Sequence, residues 1–477
     1  MENEDFEALI KDEKILKAID KLGYSRPSKV QSKVMPLMHA HKDIIVQSQT
    51  GSGKTAAFGI PLCETIDVEM RTPQVLILAP TRELAVQIKQ DIENIGLYKS
   101  IHCVAVFGKQ PISFQTKELK QRVHIVAGTP GRTLDHIKKG SLYVEDIKYL
   151  VIDEADEMLN MGFIDEVSDI IRRLPKNRIT TLFSATMPEE IEKLCASYMV
   201  KPERISITPD KVTVENIEQK CVATDVSSKL LTLETVLYLE NPDNCIIFCN
   251  TKATVDKIYD RFNSLKWPAI KLHGDMLQND RLKTINNFKA GKARFLIATD
   301  IAARGLDIES LSCIINYDMP VEKERYVHRI GRTGRAGKKG TAITFVTSYD
   351  ERMLSEIEEY IDYKFEPTSI ELENISEEYK ARFAAKNVVK AKNTTSSKIG
   401  KDVMKIHLNL GKDKKIRPGD IAGAISNIDG VNGEDIGIIE IWDRFSNVTI
   451  LNGKGSIVLN NLKKLKGKNV KAAVADK

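Results

Sequence analysis

No apolar run in this 477-residue sequence reaches the roughly 18 residues needed to cross a bilayer. The opening stretch MENEDFEALI lacks both the basic and the apolar segment of a secretory signal. A cytoplasmic protein without membrane association is therefore expected. Cysteine occurs seven times, at 63, 103, 195, 221, 245, 249 and 313, but never as C-x-x-C. The odd number and the spacing argue against zinc or disulfide frameworks and for buried, reduced thiols. Aromatic residues are few at 6%, against 42% apolar and 29% charged, which describes a soluble globular chain. Its length exceeds one compact core, so two or three domains are expected.

Net charge is a modest +5 but unevenly placed. Residues 386–477 hold 18 Lys and Arg against 9 Asp and Glu, a net +9, which leaves −4 for residues 1–385. The basic end points to a polyanion.

Short β-branched runs alternate with amphipathic helical stretches. DIIV (43–46), VLILA (75–79), HIVAG (124–128), YLVID (149–153) and TTLFSAT (180–186) read as buried parallel strands of an α/β sheet. A second series, CIIFCNT (245–251), AIKLH (269–273), FLIATD (295–300), CIINYD (313–318) and TAITFVT (341–347), reads as a second such sheet. Residues 201–219, with two prolines and no helical period, are a plausible linker, and NVVKAKNTTSSKIGKD (387–402) is a polar, basic connector. The remaining residues read strand–helix–strand–strand–helix–strand, the order of a small ferredoxin-like domain.

VQSQTGSGKT (46–55) lacks the first glycine of the phosphate-loop pattern, having Ser48 in its place. It nevertheless follows a strand and opens a helix. Gly51 and Gly53 permit backbone N–H groups to turn inward, Lys54 is suited to the β/γ-phosphates, and Thr55 to Mg²⁺. The acidic partner is VIDEAD (151–156), where Asp153 at a strand end suits Mg²⁺ and Glu154 suits a proton-accepting role toward attacking water. Arg329, Arg332 and Arg335, spaced by three, offer guanidinium forks for γ-phosphate oxygens, and the spacing argues against a core role. Because these arginines lie within the second sheet's series and the phosphate loop within the first, ATP is expected in a cleft between the domains, with hydrolysis coupled to closure.

The DEAD stretch (153–156) together with this loop resembles the DEAD-box ATP-dependent RNA helicases, and further motifs stand in family order over residues 6–350. Phe6 and GYSRPSKVQ (23–31) are similar to the adenine-recognition segment, which implies stacking by Tyr24 and base hydrogen bonding by Gln31. The loop residues Ser48, Gln49, Thr50, Gly51, Ser52, Gly53, Lys54 and Thr55, with Asp307 in the second half, complete the implied nucleotide site. Lys54, Asp153, Glu154, Arg332 and Arg335 are the implied catalytic groups, with Thr55 and Asp153 on the metal.

PTREL (80–84) and TPGR (129–132) resemble RNA-backbone motifs, and SAT (184–186) the segment coupling hydrolysis to strand separation. QNDR (278–281), ATDIAARGLDI (298–308) and HRIGRTGR (328–335) match in turn. Arg82, Thr129, Arg132, Arg281 and Thr299 are the implied RNA contacts, suited to phosphate and sugar oxygens. A Gly-Gly pair expected near residue 108 reads FGKQ, with Lys109 second.

In the basic end, KDVMKI (401–406), DGVNGEDIGII (429–439) and ILNGKG (450–455) resemble the C-terminal domain of the DbpA/YxiN branch, which in that branch docks on a hairpin of 23S ribosomal RNA. Lys405, His407, Arg444 and Lys454 are its candidate contacts, although the usual stacking positions hold Val448 and Leu451. The resemblance implies two tandem RecA-like parallel-sheet domains, 1–207 and 208–365, a linker 366–400, and an α+β ferredoxin-like (RRM-like) domain 401–477. It further implies a monomeric helicase using ATP and Mg²⁺ on pre-50S ribosomal particles. An ATP-gated RNA clamp and a DNA translocase are the competing readings.

Overall fold

In the computed structural model, residues 5–48, 52–207, 216–303, 311–334, 339–370, 375–387 and 402–475 are described. They form two units, residues 1–207 with 394–477 and residues 208–393. No helix among the described residues is long and apolar enough to cross a membrane.

The first unit is built on seven strands: β1 Ile44–Ser48, β2 Val75–Leu78, β3 Cys103–Val106, β4 Ile125–Gly128, β5 Tyr149–Ile152, β6 Ile179–Ser184 and β7 Glu203–Ile207. They pair in parallel in the order β3-β4-β2-β5-β6-β1-β7. β2 to β5 are buried throughout, which is why their sequences are continuous apolar runs rather than alternating ones. Helices cover both faces, giving one core around Phe58, Phe183 and Ile77 and another around Leu76, Leu150 and Met158. β7, within the stretch expected as a linker, is instead an edge strand. Asp43 ties it down: its carbonyl accepts from Glu203 N at 2.8 Å, while its carboxylate accepts from Thr180 N in β6 at 2.7 Å and from Val200 N ahead of β7 at 2.6 Å.

The second unit repeats the plan with β8 Ile217–Ala223, β9 Cys245–Cys249, β10 Ala269–Leu272, β11 Phe295–Thr299, β12 Cys313–Asn316, β13 Gly340–Val346 and β14 Thr368–Ser369. Their order is β10-β11-β9-β12-β13-β8-β14, again parallel. The sheet outlasts residue 365. β14 and the helix Glu377–Lys386 lie in the stretch expected as connector, and Phe383, 1% exposed, packs among Tyr238, Trp267 and Phe295. Period-two and period-3.6 patterns are too short there to reveal a helix anchored by one phenylalanine.

The C-terminal strands are β15 Met404–Leu408, β16 Ile436–Ile441, β17 Ser446–Ile450, the short pair β18 Lys464–Leu465 and β19 Lys468–Asn469, and β20 Ala472–Val474. Four of them form an antiparallel sheet, β16-β17-β15-β20, with the helices Pro418–Ser426 and Gly455–Asn461. This is the ferredoxin-like order. Ile406, Leu408, Val448 and Ile450 enter the core. By alternation, Lys405, His407, Asn447 and Thr449 lie on the opposite face. All seven cysteines are free and buried.

Candidate active site

Three neighbouring strands, β5, β6 and β1, deliver the conspicuous residues of the first unit at their C-terminal ends, where ligands of open α/β sheets bind. After β1, the helix Lys54–Thr65 begins at Gly53, whose φ of 88° is left-handed. A Cβ there would lie 2.7 Å from Gln31 Nε2, so only glycine fits. Lys54 is 6% exposed, and its Nζ is 3.9 Å from Asp153 Oδ1. That ammonium, with Ser48 Oγ and Ser52 Oγ, is buried without a hydrogen-bond partner among the described residues. Unpaired buried donors at a helix N-terminus fit phosphate oxygens. Thr55 follows Lys54 in the first turn. Gln49, Thr50 and Gly51 lie outside the described residues.

Gln31 is already engaged by the protein. Its Oε1 accepts from Ser28 N at 2.8 Å, and its Nε2 donates to Gly53 O at 3.2 Å. One N–H and one lone pair of its amide remain for a base. Phe6 is buried and stacks on half-exposed Tyr24 with centroids 6.2 Å apart.

After β5, burial pushes the Asp153 carboxyl up, against the pull of Lys54 and of the Glu154 N–H that it accepts at 3.0 Å. Glu154 sits at φ 55°, a left-handed conformation costing a non-glycine residue about 1–2 kcal/mol. Such strain concentrates at functional turns. Asp156 was not singled out from the sequence. Its Oδ2 accepts from Ala185 N, Thr186 N and Thr186 Oγ1 at 3.2, 2.9 and 3.0 Å, and its own N–H donates to Ser184 Oγ at 3.2 Å. The acidic turn is thereby tied to the SAT segment after β6. A carboxylate two residues past a candidate base was the available signal.

Of the first-unit RNA candidates, Arg132 is held by Gln110 O and Gln115 Oε1, both at 2.9 Å. Thr129 follows β4 and Arg82 begins the helix Arg82–Ile95. Arg82 lies along the loop at Gly108, where an added Cβ would be 3.5 Å from its Nη2. Lys109 has φ 60°. The backbone thus keeps a conformation suited to glycine although the residue is lysine.

In the second unit, Arg329 corrects the expectation that none of the three arginines belongs to a core. It is 2% exposed and bonds both oxygens of Asp300 at 2.6 Å, Asp318 O at 2.7 Å and Asn250 Oδ1 at 3.1 Å. The helix Lys323–Ile330 directs it under the strand ends, where a paired and fully hydrogen-bonded guanidinium is tolerated. Arg332, three residues on, is 8% exposed. Arg281 Nη2 reaches Ala302 O at 3.5 Å, and Thr299 ends β11. Arg335 and Asp307 lie outside the described residues.

On the C-terminal domain, Lys405 pairs with Glu440 at 2.6 Å, and His407 shares a hydrogen bond with Asn447 at 3.2 Å. Arg444 is exposed and Lys454 precedes the helix Gly455–Asn461. These four are not one cluster. The first two lie on the helix-free sheet face, Arg444 on a turn and Lys454 beyond β17.

Family models match three parts of the chain: DEAD/DEAH box helicase over residues 28–194, helicase conserved C-terminal domain over 228–337, and DbpA RNA binding domain over 405–474. The chain is 52% identical to the ATP-dependent RNA helicase DbpA of Bacillus subtilis (strain 168) over 467 residues, 97% of this chain and 98% of that one. It is 41% identical to the DEAD-box ATP-dependent RNA helicase CshA of Geobacillus kaustophilus (strain HTA426) over 361 residues, 76% and 77% of the two chains. Among solved structures, S. cerevisiae Dbp5 bound to RNA and ADP BeF3 is similar with a TM-score of 0.71 at 31% identity, covering 79% of this chain and 98% of that one.

Proposed function

Since this chain belongs to the DEAD-box ATP-dependent RNA helicases that carry a DbpA RNA-binding domain, we propose that it unwinds short duplexes in 23S ribosomal RNA during assembly of the large subunit. The observation that carries the ATPase part is the buried Lys54 ammonium, which makes no hydrogen bond among the described residues and lies 3.9 Å from Asp153 at the sheet's C-terminal edge. Lys54 and the backbone N–H groups at the helix start bind the phosphates of ATP, and Gln31 and Tyr24 receive the adenine. Asp153 and Thr55 would hold Mg²⁺, which when bound neutralises phosphate charge. Glu154 orients the attacking water and accepts its proton.

Arg332 and Arg335 are the groups assigned to the γ-phosphate of ATP. Arg82, Thr129, Arg132, Arg281 and Thr299 grip the RNA backbone, which carries no base preference of its own. Preference then comes from the basic C-terminal domain seeking a ribosomal RNA hairpin on pre-50S particles, in the cytoplasm, as a monomer.

The test is ATP turnover and strand release on RNA joining that hairpin to a short duplex, against a scrambled sequence. The reading expects a lower activation constant for the hairpin RNA, rising with salt as counterions compete. Equal activation by both RNAs removes the ribosomal assignment. Turnover without strand release would make the protein an ATP-gated clamp.

A further inference from the structure

Four rings stand in series across the boundary between the C-terminal domain and the first RecA-like domain, both within the first unit. His407 and Phe445 have centroids 5.0 Å apart at 36°, Phe445 and Trp442 5.6 Å at 18°, and Trp442 and Phe114 5.5 Å at 22°. Three of these rings belong to the C-terminal domain. Phe114 belongs to the helix Ile112–Leu119 of the first domain and is 44% exposed.

Around this row the two domains meet through the edge of the sheet. The side-chain amide of Gln121 behaves as a further strand, donating to Ile441 O at 2.9 Å and accepting from Ile441 N at 3.1 Å. Glu440 lies between Lys405 at 2.6 Å and His102 at 3.6 Å. Burial acts to raise its pKa, but His102 and Lys405 outweigh it and hold the carboxyl well below its usual range. Leu451 packs against Ala18 and Tyr98. The outer ion pairs, Lys21–Asp402 and Lys117–Asp443, are largely exposed, so they contribute little and are screened by salt. Such a contact, small in its apolar part and polar at its rim, suits reversible association.

The ring series has the chemistry of a base-stacking platform. Ring planes within 18–36° of parallel lie beside exposed Arg444 and Lys412, whose N–H bonds Trp442 O at 2.9 Å. Unpaired RNA bases stack on such rings while cations meet the phosphates. The indole N–H of Trp442 is buried without an acceptor among the described residues, a cost that an incoming acceptor would relieve.

We propose that Trp442, Phe445 and His407 form a stacking site for unpaired bases of RNA, and that Phe114 of the first domain caps this stack in competition with RNA. A base on the outer face of Trp442 takes the place of Phe114. RNA capture and docking of the C-terminal domain on the first domain therefore exclude one another. The proposal rests on the reading that this domain captures RNA, and it deepens that reading by naming the surface and the rival.

The test uses the full chain and an RNA hairpin carrying 2-aminopurine at successive loop positions. With the wild type, fluorescence at one or more positions is quenched by stacking. Trp442→Leu abolishes that quenching and weakens hairpin binding about 5- to 150-fold, the range for one stacked base. Trp442→Phe keeps the quenching, which separates lost stacking from a misfolded domain. Phe114→Ala tightens binding several-fold because the rival ring is gone. Quenching that survives Trp442→Leu, its absence at every loop position in the wild type, or unchanged or weakened binding by Phe114→Ala overturns the proposal. Preference for the hairpin over scrambled RNA is scored separately. Its loss would remove the ribosomal reading, while Trp442→Leu against any single-stranded RNA still decides the stacking site.

Discussion

Thr186 gives both its backbone N–H and its hydroxyl to one oxygen of Asp156, at 2.9 and 3.0 Å. The pair binds the turn that carries Glu154 to the segment following β6, so a shift at one is passed to the other. Asp156→Ala frees Ala185 and Thr186 and leaves their donors short of an acceptor, at about 1–3 kcal/mol. Strand release should fall at least ten-fold, and more than RNA-stimulated ATP turnover does. Parallel measurement of both rates checks this, and equal losses would mean that Asp156 acts on hydrolysis alone.

Glu154→Gln preserves size but removes the carboxylate proposed to accept the proton of water. ATP and RNA should still bind, while turnover falls about 10²- to 10⁴-fold, the usual contribution of a general base. Single-turnover hydrolysis alongside equilibrium binding of a fluorescent nucleotide separates the two. Normal turnover would take Glu154 out of the chemistry.

Gly53→Ala places a methyl 2.7 Å from Gln31 Nε2 at a φ of 88°. Both the clash and the strain displace the loop, so nucleotide affinity should drop about ten-fold or more with the fold retained. Gln31→Ala relieves the clash. If the double variant recovers none of the loss, backbone strain rather than Gln31 is responsible.

Arg329→Met removes the cation and leaves Asp300 buried and unpaired, which typically costs about 3–5 kcal/mol. Adding Asp300→Asn should restore much of that stability. Denaturant unfolding of the single and double variants reads the coupling, and additive losses would show that the pair is not the stabilising element.

His124 and His136 are held neutral in the first domain, chiefly by burial, which lowers each from 6.5 to about 4. His124 accepts from His102 N at 3.0 Å, and His136 lies 2.7 Å from Ser141 Oγ and 3.1 Å from Gln115 Oε1. A depressed histidine pKa means that protonation favours the unfolded chain. Its stability contribution is complete above 6.5 and is lost as pH falls toward 4, by up to about 3 kcal/mol for each residue. Hydrogen-exchange protection of β3 and β4 should weaken across that window, and His136→Gln should flatten the dependence. A flat wild-type profile would mean that both rings titrate normally.

The sequence by itself determined the repeated parallel sheets and the acidic residues at a strand end, because buried strands need unbroken apolar runs, and it marked the glycine–lysine turn at Gly53 and Lys54 that opens a helix after β1. It equally specified the ferredoxin-like order of the last domain, since alternation and turn residues are local signals. Tertiary structure alone decided which charges are structural. Arg329 and Arg332 belong to one periodic motif, yet Arg329 is anchored by Asp300, Asn250 and Asp318, residues 29, 79 and 11 positions away. Thr368–Ser369 joined the second sheet by pairing with β8, the helix Glu377–Lys386 joined its core through the buried Phe383, and Lys109 kept a glycine-like backbone that composition could not reveal. The aromatic row of Phe114, His407, Trp442 and Phe445 joins positions more than 300 residues apart in sequence. Periodicity reports what one element does to its own faces, whereas a stack or a buried ion pair exists only after distant elements have packed.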